Sequence, residues 1–255
     1  MEEKVSSYKF PIRTFACDFS ERATLPVMGN FVLEAASLHS NEGNFGHKQI
    51  SKDNVTWVLS RLSIEMYEYS FCGENLTVQT WIEKVDQFFT QRCCRFTDSN
   101  GKVTGFARSI WVAMDIKTRR PLDIRKWRPD LANHVTDEIA CPIEKYAIIF
   151  PVNKVEPVMN YKIRYMDIDI NHHMNSIKYI EHTINIFDLS FFREKIIHRL
   201  DIVYLAEGLV KDKLELYMQD VSEEEYLIDF KKEGKSICRC RVVWTPIPPG
   251  NEVVQ

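Results

Sequence analysis

Residues 167–179 contain the polar side chains best suited to acid–base chemistry in this chain of 255 residues. Their sequence is DIDINHHMNSIKY, in which Asp169, Asn171 and His173 occupy alternate positions. In an extended segment alternate side chains project to the same side, so these three are predicted to converge on one point. His172 would then point away, which makes His173 the candidate functional histidine.

Asn175 and Ser176 follow where a helix is expected to begin, and the free N–H groups of a helix N-terminus can stabilise a developing oxyanion. One alternative is that Asp and Asn here only form turns and cap the helix. A metal site is the second alternative, and its possible ligands are His172, His173, Asp169 and Glu207. Adjacent histidines in an extended chain point apart, and no HxH or HxxxH spacing is present, so neither a metal nor a cofactor is predicted.

Composition limits the class of protein to which these residues belong. Hydrophobic residues make up 45% and aromatic residues 12% of the chain, which disfavours a disordered protein. With 33 Lys and Arg against 36 Asp and Glu, the formal net charge of −3 disfavours a nucleic-acid partner. No apolar run approaches the roughly 18 residues of a membrane span, so none is predicted. The polar start, MEEKVSSYKF, and seven cysteines without a CxxC pair favour a cytoplasmic protein with reduced thiols.

A weak internal repeat indicates two related units. Four identical residues recur 133 positions apart, namely Gly101 and Gly234, Lys102 and Lys235, Arg108 and Arg241, and Trp111 and Trp244. Four matches in one register favour a duplicated unit. The predicted units are residues 1–117 and 159–255. Residues 118–158, which hold five of the ten prolines, are predicted to link them.

Each unit has the same predicted order of elements: an extended segment, a helix and four β-rich runs. In the first unit the helix includes Met28 to Leu38, and the strands are Thr56–Tyr67, Leu76–Val85, Phe88–Thr97 and Val103–Met114. In the second unit the helix includes Met174 to Phe187, and the strands are Ile196–Ala206, Leu214–Val221, Tyr226–Phe230 and Ser236–Trp244. The expected fold is α+β: two tandem hot-dog units, each an antiparallel sheet wrapped round one long helix.

The chain also closely resembles the acyl–acyl carrier protein (ACP) thioesterases, both the plant-plastid type and its bacterial relatives. The run DIDINHHMNSIKY is similar to the family motif D-x-N-x-H-x-N-x-x-K-Y, and Tyr204–Gly208 is similar to its Y-R-R-E-C-G segment. Further matches are Phe10–Arg13, Trp57–Leu62, Trp111–Met114 and Thr118–Arg120. The resemblance implies the catalytic set Asp169, Asn171, His173 and Glu207. Where the plant enzymes have a cysteine after the glutamate, this chain has Gly208, so we expect water to be the nucleophile.

The resemblance further implies that the protein hydrolyses fatty acyl-ACP thioesters and releases free fatty acid in fatty acid biosynthesis. One carboxylate, Glu207 or Asp169, would take a proton from water, and the other would orient His173. Asn171 would position the water or the thioester carbonyl. Two alternatives stay open: an acyl-coenzyme A thioesterase of the same fold, and a non-catalytic module that senses acyl thioesters. Acyl chain length, and the choice between monomer and homodimer, also stay open.

The first unit is expected to lack chemistry and to shape the acyl pocket, because its segment entering the helix, Arg22–Met28, contains no D-x-N-x-H. Size and predicted burial make Met28, Val32, Trp57 and Trp81 the candidate lining residues, with plain core packing as the alternative for each.

A short basic run is predicted to dock the acidic carrier protein. It consists of Lys117, Arg119, Arg120, Arg125, Lys126 and Arg128. Opposite charges favour association, although such runs are more often solvated surface.

Overall fold

The protein is described by a computed structural model that covers residues 4–144 and 146–247. It divides into two compact units, Met1–Glu144 (unit 1) and Lys145–Gln255 (unit 2). The outer ends of the two predicted units, residues 1–3 and 248–255, lie outside the described residues. Within the described ranges, no helix is both long and apolar enough to cross a membrane.

Unit 1 is a five-stranded antiparallel sheet with one long helix. Its strands are β1 (Ser6–Pro11), β2 (Val55–Met66), β3 (Asn75–Val85), β4 (Thr90–Thr97) and β5 (Val103–Asp115). The strands lie in the order β1-β3-β4-β5-β2. The helices are α1 (Leu25–Glu42), α2 (His47–Ile50) and α3 (Ile124–Trp127), with 3₁₀ turns at Thr14–Ala16, Ser51–Asp53 and Pro129–His134.

Unit 2 repeats this plan. Its strands are β6 (Met159–Lys162), β7 (Lys195–Tyr204), β8 (Lys213–Asp220), β9 (Glu225–Lys232) and β10 (Lys235–Pro246). They are antiparallel and lie in the order β7-β10-β9-β8-β6. The helices are α4 (Ser176–Ile184) and α5 (Leu189–Glu194), with a 3₁₀ turn at Tyr165–Asp167. The predicted pair of tandem hot-dog units is therefore confirmed.

The strands and turns follow local sequence patterns. Residues Cys238, Cys240 and Val242 of β10 are fully buried, and the arginines between them are only half-buried, as the alternating pattern predicts. The Glu233-Gly234 turn joins β9 to β10 with φ of 50° and 74° at these two residues. Two consecutive positive φ angles match the twist of a β-hairpin.

The helix of unit 2 is shorter than predicted. Instead of continuing to Phe187, α4 ends at Ile184, and the chain turns before α5 begins. With this turn, the ring centroids of Phe187 and Phe191 lie 4.9 Å and 4.8 Å from the ring centroid of Trp244. Aromatic packing against β10 therefore replaces the last turn of the predicted helix.

The segment predicted as a linker is divided between the units, whose boundary falls after Glu144. Residues 118–144 pack on unit 1, where Ile124 and Leu131 are fully buried beside Ile82. On unit 2, the N–H of Val152 donates to the Asp229 carboxylate at 3.1 Å. The prolines exclude long regular elements here, but the apolar residues between them still bury surface against each sheet.

Helix α1 presents a continuous buried face to the sheet of unit 1. Pro26 lies in its first turn, where a missing N–H costs no hydrogen bond. Met28, Val32 and Ala35 are fully buried, and the helix packs on β1 and β3. The last buried turn carries a polar residue, His39.

His39 is a buried histidine held in its neutral form. Its Nδ1 lies 2.7 Å from Nη1 of the equally buried Arg92. Burial, and then the charge of Arg92, lower the pKa of His39 from 6.5 to about 3. Below about pH 6.5 the unfolded chain protonates His39, whereas the folded chain keeps it neutral. The contribution of His39 to the unfolding free energy is therefore fully present above about pH 6.5 and is lost progressively as the pH falls toward 3.

Replacing His39 by Gln should flatten the acid side of the stability profile, since Gln can still accept from Arg92 but does not titrate. Between pH 7 and pH 5 the wild-type protein should lose about 2 kcal/mol more unfolding free energy than H39Q, the effect of one proton bound only by the unfolded state. Urea unfolding of both proteins at the two pH values measures this difference. Equal losses would mean that His39 does not stay neutral in the folded protein.

Candidate active site

The segment Asp169–His173 is a tight turn, and the extended conformation predicted from its alternating residues is wrong. The N–H of Asp169 donates to the carbonyl of His173 at 2.9 Å, and the N–H of His172 donates to the carbonyl of Asp169 at 3.0 Å. His172 adopts a left-handed φ of 65°. The cause is the Asp169 side chain, whose Oδ1 accepts the N–H groups of Asn171 at 2.8 Å and His173 at 3.4 Å. Asp commonly folds the backbone after it in this way.

Backbone hydrogen bonds fix both ends of this turn. Ile168 and Met174 form a β-bridge across its base. The N–H of Met174 donates to the carbonyl of Gly208 at 2.8 Å, and the N–H of Asn175 donates to the carbonyl of Asp167 at 2.8 Å. The turn is thereby tied to the loop that follows β7.

That connection places His173 beside Glu207. Nε2 of His173 lies 2.9 Å from Oε2 of Glu207, and the two side chains are 26% and 38% exposed. A half-exposed imidazole–carboxylate pair can exchange a proton with a bound molecule and still be reached from solvent. Of the four residues implied by the resemblance, the structure brings these two side chains together.

The other two residues lie in the turn itself. The Asp169 carboxylate binds the backbone amides described above. The side chain of Asn171 is exposed and makes no hydrogen bond with the described part of the chain, so it can contact a ligand. Asn175 caps α4 by accepting the N–H of Ile177 at 2.8 Å, which confirms the predicted helix start.

Asp167 supports the site from beneath, although sequence reasoning gave it no role. It is a buried carboxylate whose Oδ2 accepts the hydroxyl of Tyr161 at 2.7 Å and the N–H of Arg164 at 2.7 Å. Its Oδ1 lies 3.9 Å from Nε2 of His182 on α4. It thereby joins β6, the segment before the turn and the helix after it. In the sequence, the feature that could have indicated its importance is its position as the first residue of the run DIDINHHMNSIKY.

Unit 1 contains the same turn, 151 positions earlier. The N–H of Asp18 donates to the carbonyl of Arg22 at 2.9 Å. Oδ1 of Asp18 accepts the N–H groups of Ser20 at 2.8 Å and Arg22 at 3.3 Å. Glu21 has a left-handed φ of 61°, as His172 has in the second turn. The two turns therefore share one backbone design.

Unit 1 also repeats the backbone hydrogen bond that joins the turn to the neighbouring loop. The N–H of Ala23 donates to the carbonyl of Ser70 at 2.8 Å, as that of Met174 does to Gly208. By this correspondence Arg22 stands in place of His173.

Tyr69, which precedes Ser70, likewise stands in place of Glu207. Unit 1 has thus kept the scaffold but carries neither the imidazole nor the carboxylate. This counterpart was not predicted because the segment compared with the motif, residues 22–28, begins at the last residue of the turn and leaves out Asp18.

The predicted acyl-lining residues fall in different places. Met28 and Val32 are fully buried on α1. Trp57 is half-buried, and its Nε1 donates to the carbonyl of Phe45 at 3.0 Å. Trp81 is fully buried in a hydrophobic cluster of unit 1 together with Cys93, Phe106, Cys141 and Ile143. Trp57 and Trp81 thus pack in separate clusters, and the lining of an acyl pocket by these four residues stays a prediction.

The basic run predicted to dock a carrier protein is exposed but partly neutralised. At least three of its six cations pair with acids, namely Arg125 with Asp86 at 3.6 Å, Lys126 with Asp123 at 3.8 Å and Arg128 with Asp130 at 2.6 Å. Arg119 and Arg120 are exposed. Internal pairing of this kind weakens the field that an acidic partner would feel.

No group of three or more His, Cys, Asp or Glu side chains within residues 4–144 and 146–247 is arranged to hold a metal ion. All seven cysteines are free thiols.

Gly208, beside Glu207, lies where little space is left for a side chain. A Cβ at this position would lie 2.7 Å from Cδ1 of Ile163 and 2.8 Å from Oη of Tyr179. Neither distance is tolerable without movement of the neighbours. A cysteine at this position would therefore require the side chains of Ile163 and Tyr179 to shift.

Replacing Gly208 by Cys should lower the unfolding free energy by about 1–3 kcal/mol through overpacking, and should reduce activity by displacing Glu207. Gly208→Ala, which adds the same Cβ without a thiol, should behave alike. Thermal unfolding and thioester hydrolysis measure the two effects. A Cys variant more active than the wild type would instead indicate that a thiol can enter the chemistry here.

Two family models match the chain. The acyl-ACP thioesterase N-terminal domain matches residues 3–128, and the acyl-ACP thioesterase C-terminal domain matches residues 152–246. The crystal structure of an acyl-ACP thioesterase from Bacteroides thetaiotaomicron VPI-5482 is 38% identical, with a TM-score of 0.89 over 95% of this chain and 98% of that chain. The 12:0-ACP thioesterase from Umbellularia californica has the same fold, with 20% identity and a TM-score of 0.87 over 97% of this chain and 99% of that chain.

Chloroplastic oleoyl-ACP thioesterase 1 of Arabidopsis thaliana is 28% identical over 190 residues, which are 68% of this chain and 52% of that protein. The chain therefore spans about half the length of this plant relative. Together the two family models cover most of both units, and the Bacteroides structure matches nearly the whole chain. The chain belongs to the acyl-ACP thioesterase family.

Proposed function

We propose that the protein hydrolyses fatty acyl-ACP thioesters and so releases free fatty acid in fatty acid biosynthesis. The observation that carries this proposal is the His173–Glu207 pair, 2.9 Å apart in a chain of this family. A thioester is activated enough for hydrolysis by a water molecule that a positioned base deprotonates. An imidazole hydrogen-bonded to a carboxylate supplies such a base.

Glu207 is the proposed base. The Asp169 carboxylate already accepts two backbone N–H groups in the turn, whereas Glu207 meets the His173 ring at the surface of the site. In the proposed step Glu207 takes a proton from water while the water oxygen bonds to the thioester carbon. The tetrahedral intermediate then breaks its C–S bond to give the fatty acid, and the departing thiolate takes the proton from Glu207, which yields the free thiol and restores the carboxylate.

His173 and Asn171 assist this step. The Nε2–H of His173 would donate to Oε2 of Glu207 and so hold the carboxylate in position to take a proton from water. The exposed Asn171 amide would position the water or the thioester carbonyl. The first-turn N–H groups of α4 would stabilise the oxyanion. The proposed acyl-lining residues are Met28, Val32, Trp57 and Trp81 of unit 1.

The test is hydrolysis of acyl-ACP substrates of graded chain length by the purified protein, with matching acyl-coenzyme A substrates alongside. Production of free fatty acid and a free carrier thiol, with kcat/KM higher for ACP than for coenzyme A, supports the proposal. A higher value for coenzyme A would make the protein an acyl-coenzyme A thioesterase. Tight binding of both substrates without turnover would make it a sensing module.

A further inference from the structure

Four exposed cations lie together on unit 2 next to the candidate active site. They are Lys162 at the end of β6, Arg164 just after it, and Lys211 and Lys213 at the start of β8. The backbone joins the two segments, since the N–H of Ile163 donates to Asp212 at 2.9 Å and the N–H of Lys211 donates to Ile163 at 3.0 Å. Arg164 leads into the 3₁₀ turn before Asp169, and Lys211 follows Glu207 by four residues.

Two of these cations repel each other. In the antiparallel register Lys162 stands directly opposite Lys213. Like charges in such a cross-strand pair lower the stability of a sheet. None of the four cations forms an ion pair with a carboxylate in the described residues, and the nearby Asp212 pairs with Lys232 instead. An unfavourable arrangement of this kind is explained if an anionic partner neutralises it.

Exposed apolar side chains adjoin the cations along the chain. Tyr165 and Met166 are 85% and 76% exposed, and Leu209 and Val210 are about half exposed. A contiguous group of exposed apolar residues rimmed by charge is typical of a protein–protein contact. The basic run at residues 117–128 differs, because three of its cations already pair with acids of unit 1.

We propose that this surface, formed by residues 162, 164–166, 209–211 and 213, docks the acidic carrier protein that brings the acyl thioester to His173 and Glu207. This inference rests on the proposed function. The cations would meet acidic side chains of the carrier, and the apolar residues would pack against apolar residues between those acids. Docking here would place the carrier on the segment that follows the candidate base, since Lys211 comes four residues after Glu207.

The test compares Lys213→Glu with wild type on one acyl group carried by ACP, by coenzyme A and by uncharged N-acetylcysteamine. The variant should raise KM for the ACP substrate about tenfold and leave N-acetylcysteamine hydrolysis unchanged, because a surface charge acts on association with its partner. Its melting temperature should rise slightly, since the introduced carboxylate would attract Lys162 where the wild-type ammonium repels it. Lys126→Glu, in the basic run, is the matched control and should leave all three substrates unaffected.

Each outcome decides between specific alternatives. A raised KM with Lys126→Glu but not with Lys213→Glu would transfer docking to the basic run and overturn the inference. Equal losses on ACP and N-acetylcysteamine substrates would also overturn it, because they would indicate damage to the site. An increase confined to coenzyme A would assign the cations to its phosphates and overturn carrier docking here. Wild-type protein that hydrolyses only the small thioesters would refute the proposed function itself.

Discussion

Glu207→Gln is expected to lower kcat for thioester hydrolysis by about 10²–10⁴-fold, the usual loss when a general base is removed. Gln keeps the size of the side chain and an oxygen that can accept from His173 Nε2, 2.9 Å away. It cannot take a proton from water. Because the Glu207 side chain is 38% exposed, the fold should not change. The loss should therefore be the same on ACP and N-acetylcysteamine substrates, since it concerns the chemical step.

Glu224→Gln is the matched control for this substitution. Glu224 is exposed on unit 2, and its backbone carbonyl accepts the N–H of Trp244 at 2.8 Å. The control should keep wild-type kcat, and circular dichroism should show both variants folded. A Glu207→Gln protein that retains more than about a tenth of wild-type kcat would exclude Glu207 as the base.

His173→Ala tests whether the pair acts as a unit. If His173 works by holding and polarising Glu207, the double variant His173→Ala/Glu207→Gln should be no slower than the slower single variant. Two groups acting in separate steps would instead give rate losses that multiply. The double-mutant cycle on kcat distinguishes the two cases.

The secondary structure was predictable because it follows short periodic patterns. The buried cysteines of β10 alternate with arginines, and the apolar face of α1 recurs every three or four residues. Both patterns depend only on neighbouring residues. The prediction of α4 failed past Ile184, where packing of Phe187 on the distant Trp244 decides the path of the chain.

The residues of the candidate site could be proposed from the sequence, but their geometry could not. Alternate spacing suggested an extended segment that brings Asp169, Asn171 and His173 together. The competing effect was the Asp169 carboxylate, which binds the backbone of the next residues and folds the segment into a turn. The partner that His173 does meet, Glu207, reaches it through the hydrogen bond between Met174 and Gly208, which no local pattern encodes.

The matching turn in unit 1 was hidden for a related reason. Ser20, Arg22 and Tyr69 stand in the positions of Asn171, His173 and Glu207, so side-chain identity no longer marks the site. What the two turns share is hydrogen bonding to an Asp at their first position, and only the structure displays it.

This duplication allows the role of Asp169 to be measured against an internal control, Asp18. In each turn Oδ1 of the Asp accepts two backbone N–H groups. The distances are 2.8 and 3.3 Å for Asp18, and 2.8 and 3.4 Å for Asp169. Asp169→Ala and Asp18→Ala should therefore both lower the unfolding free energy by about 1–2 kcal/mol. Only Asp169→Ala should reduce kcat, by about 10²-fold, because a small displacement of His173 spoils its alignment with Glu207.

Asp169→Asn separates the geometric role from a chemical one. Asn keeps an oxygen that accepts the N–H groups of Asn171 and His173, and it supports the same kind of turn without a charge. If Asp169 acts by positioning His173, the Asn variant should regain most of the stability and most of the kcat that the Ala variant loses. If Asn restores the melting temperature but leaves kcat as low as in Asp169→Ala, the charge of Asp169 takes part in the reaction. In that case the base would have to be assigned again between Asp169 and Glu207.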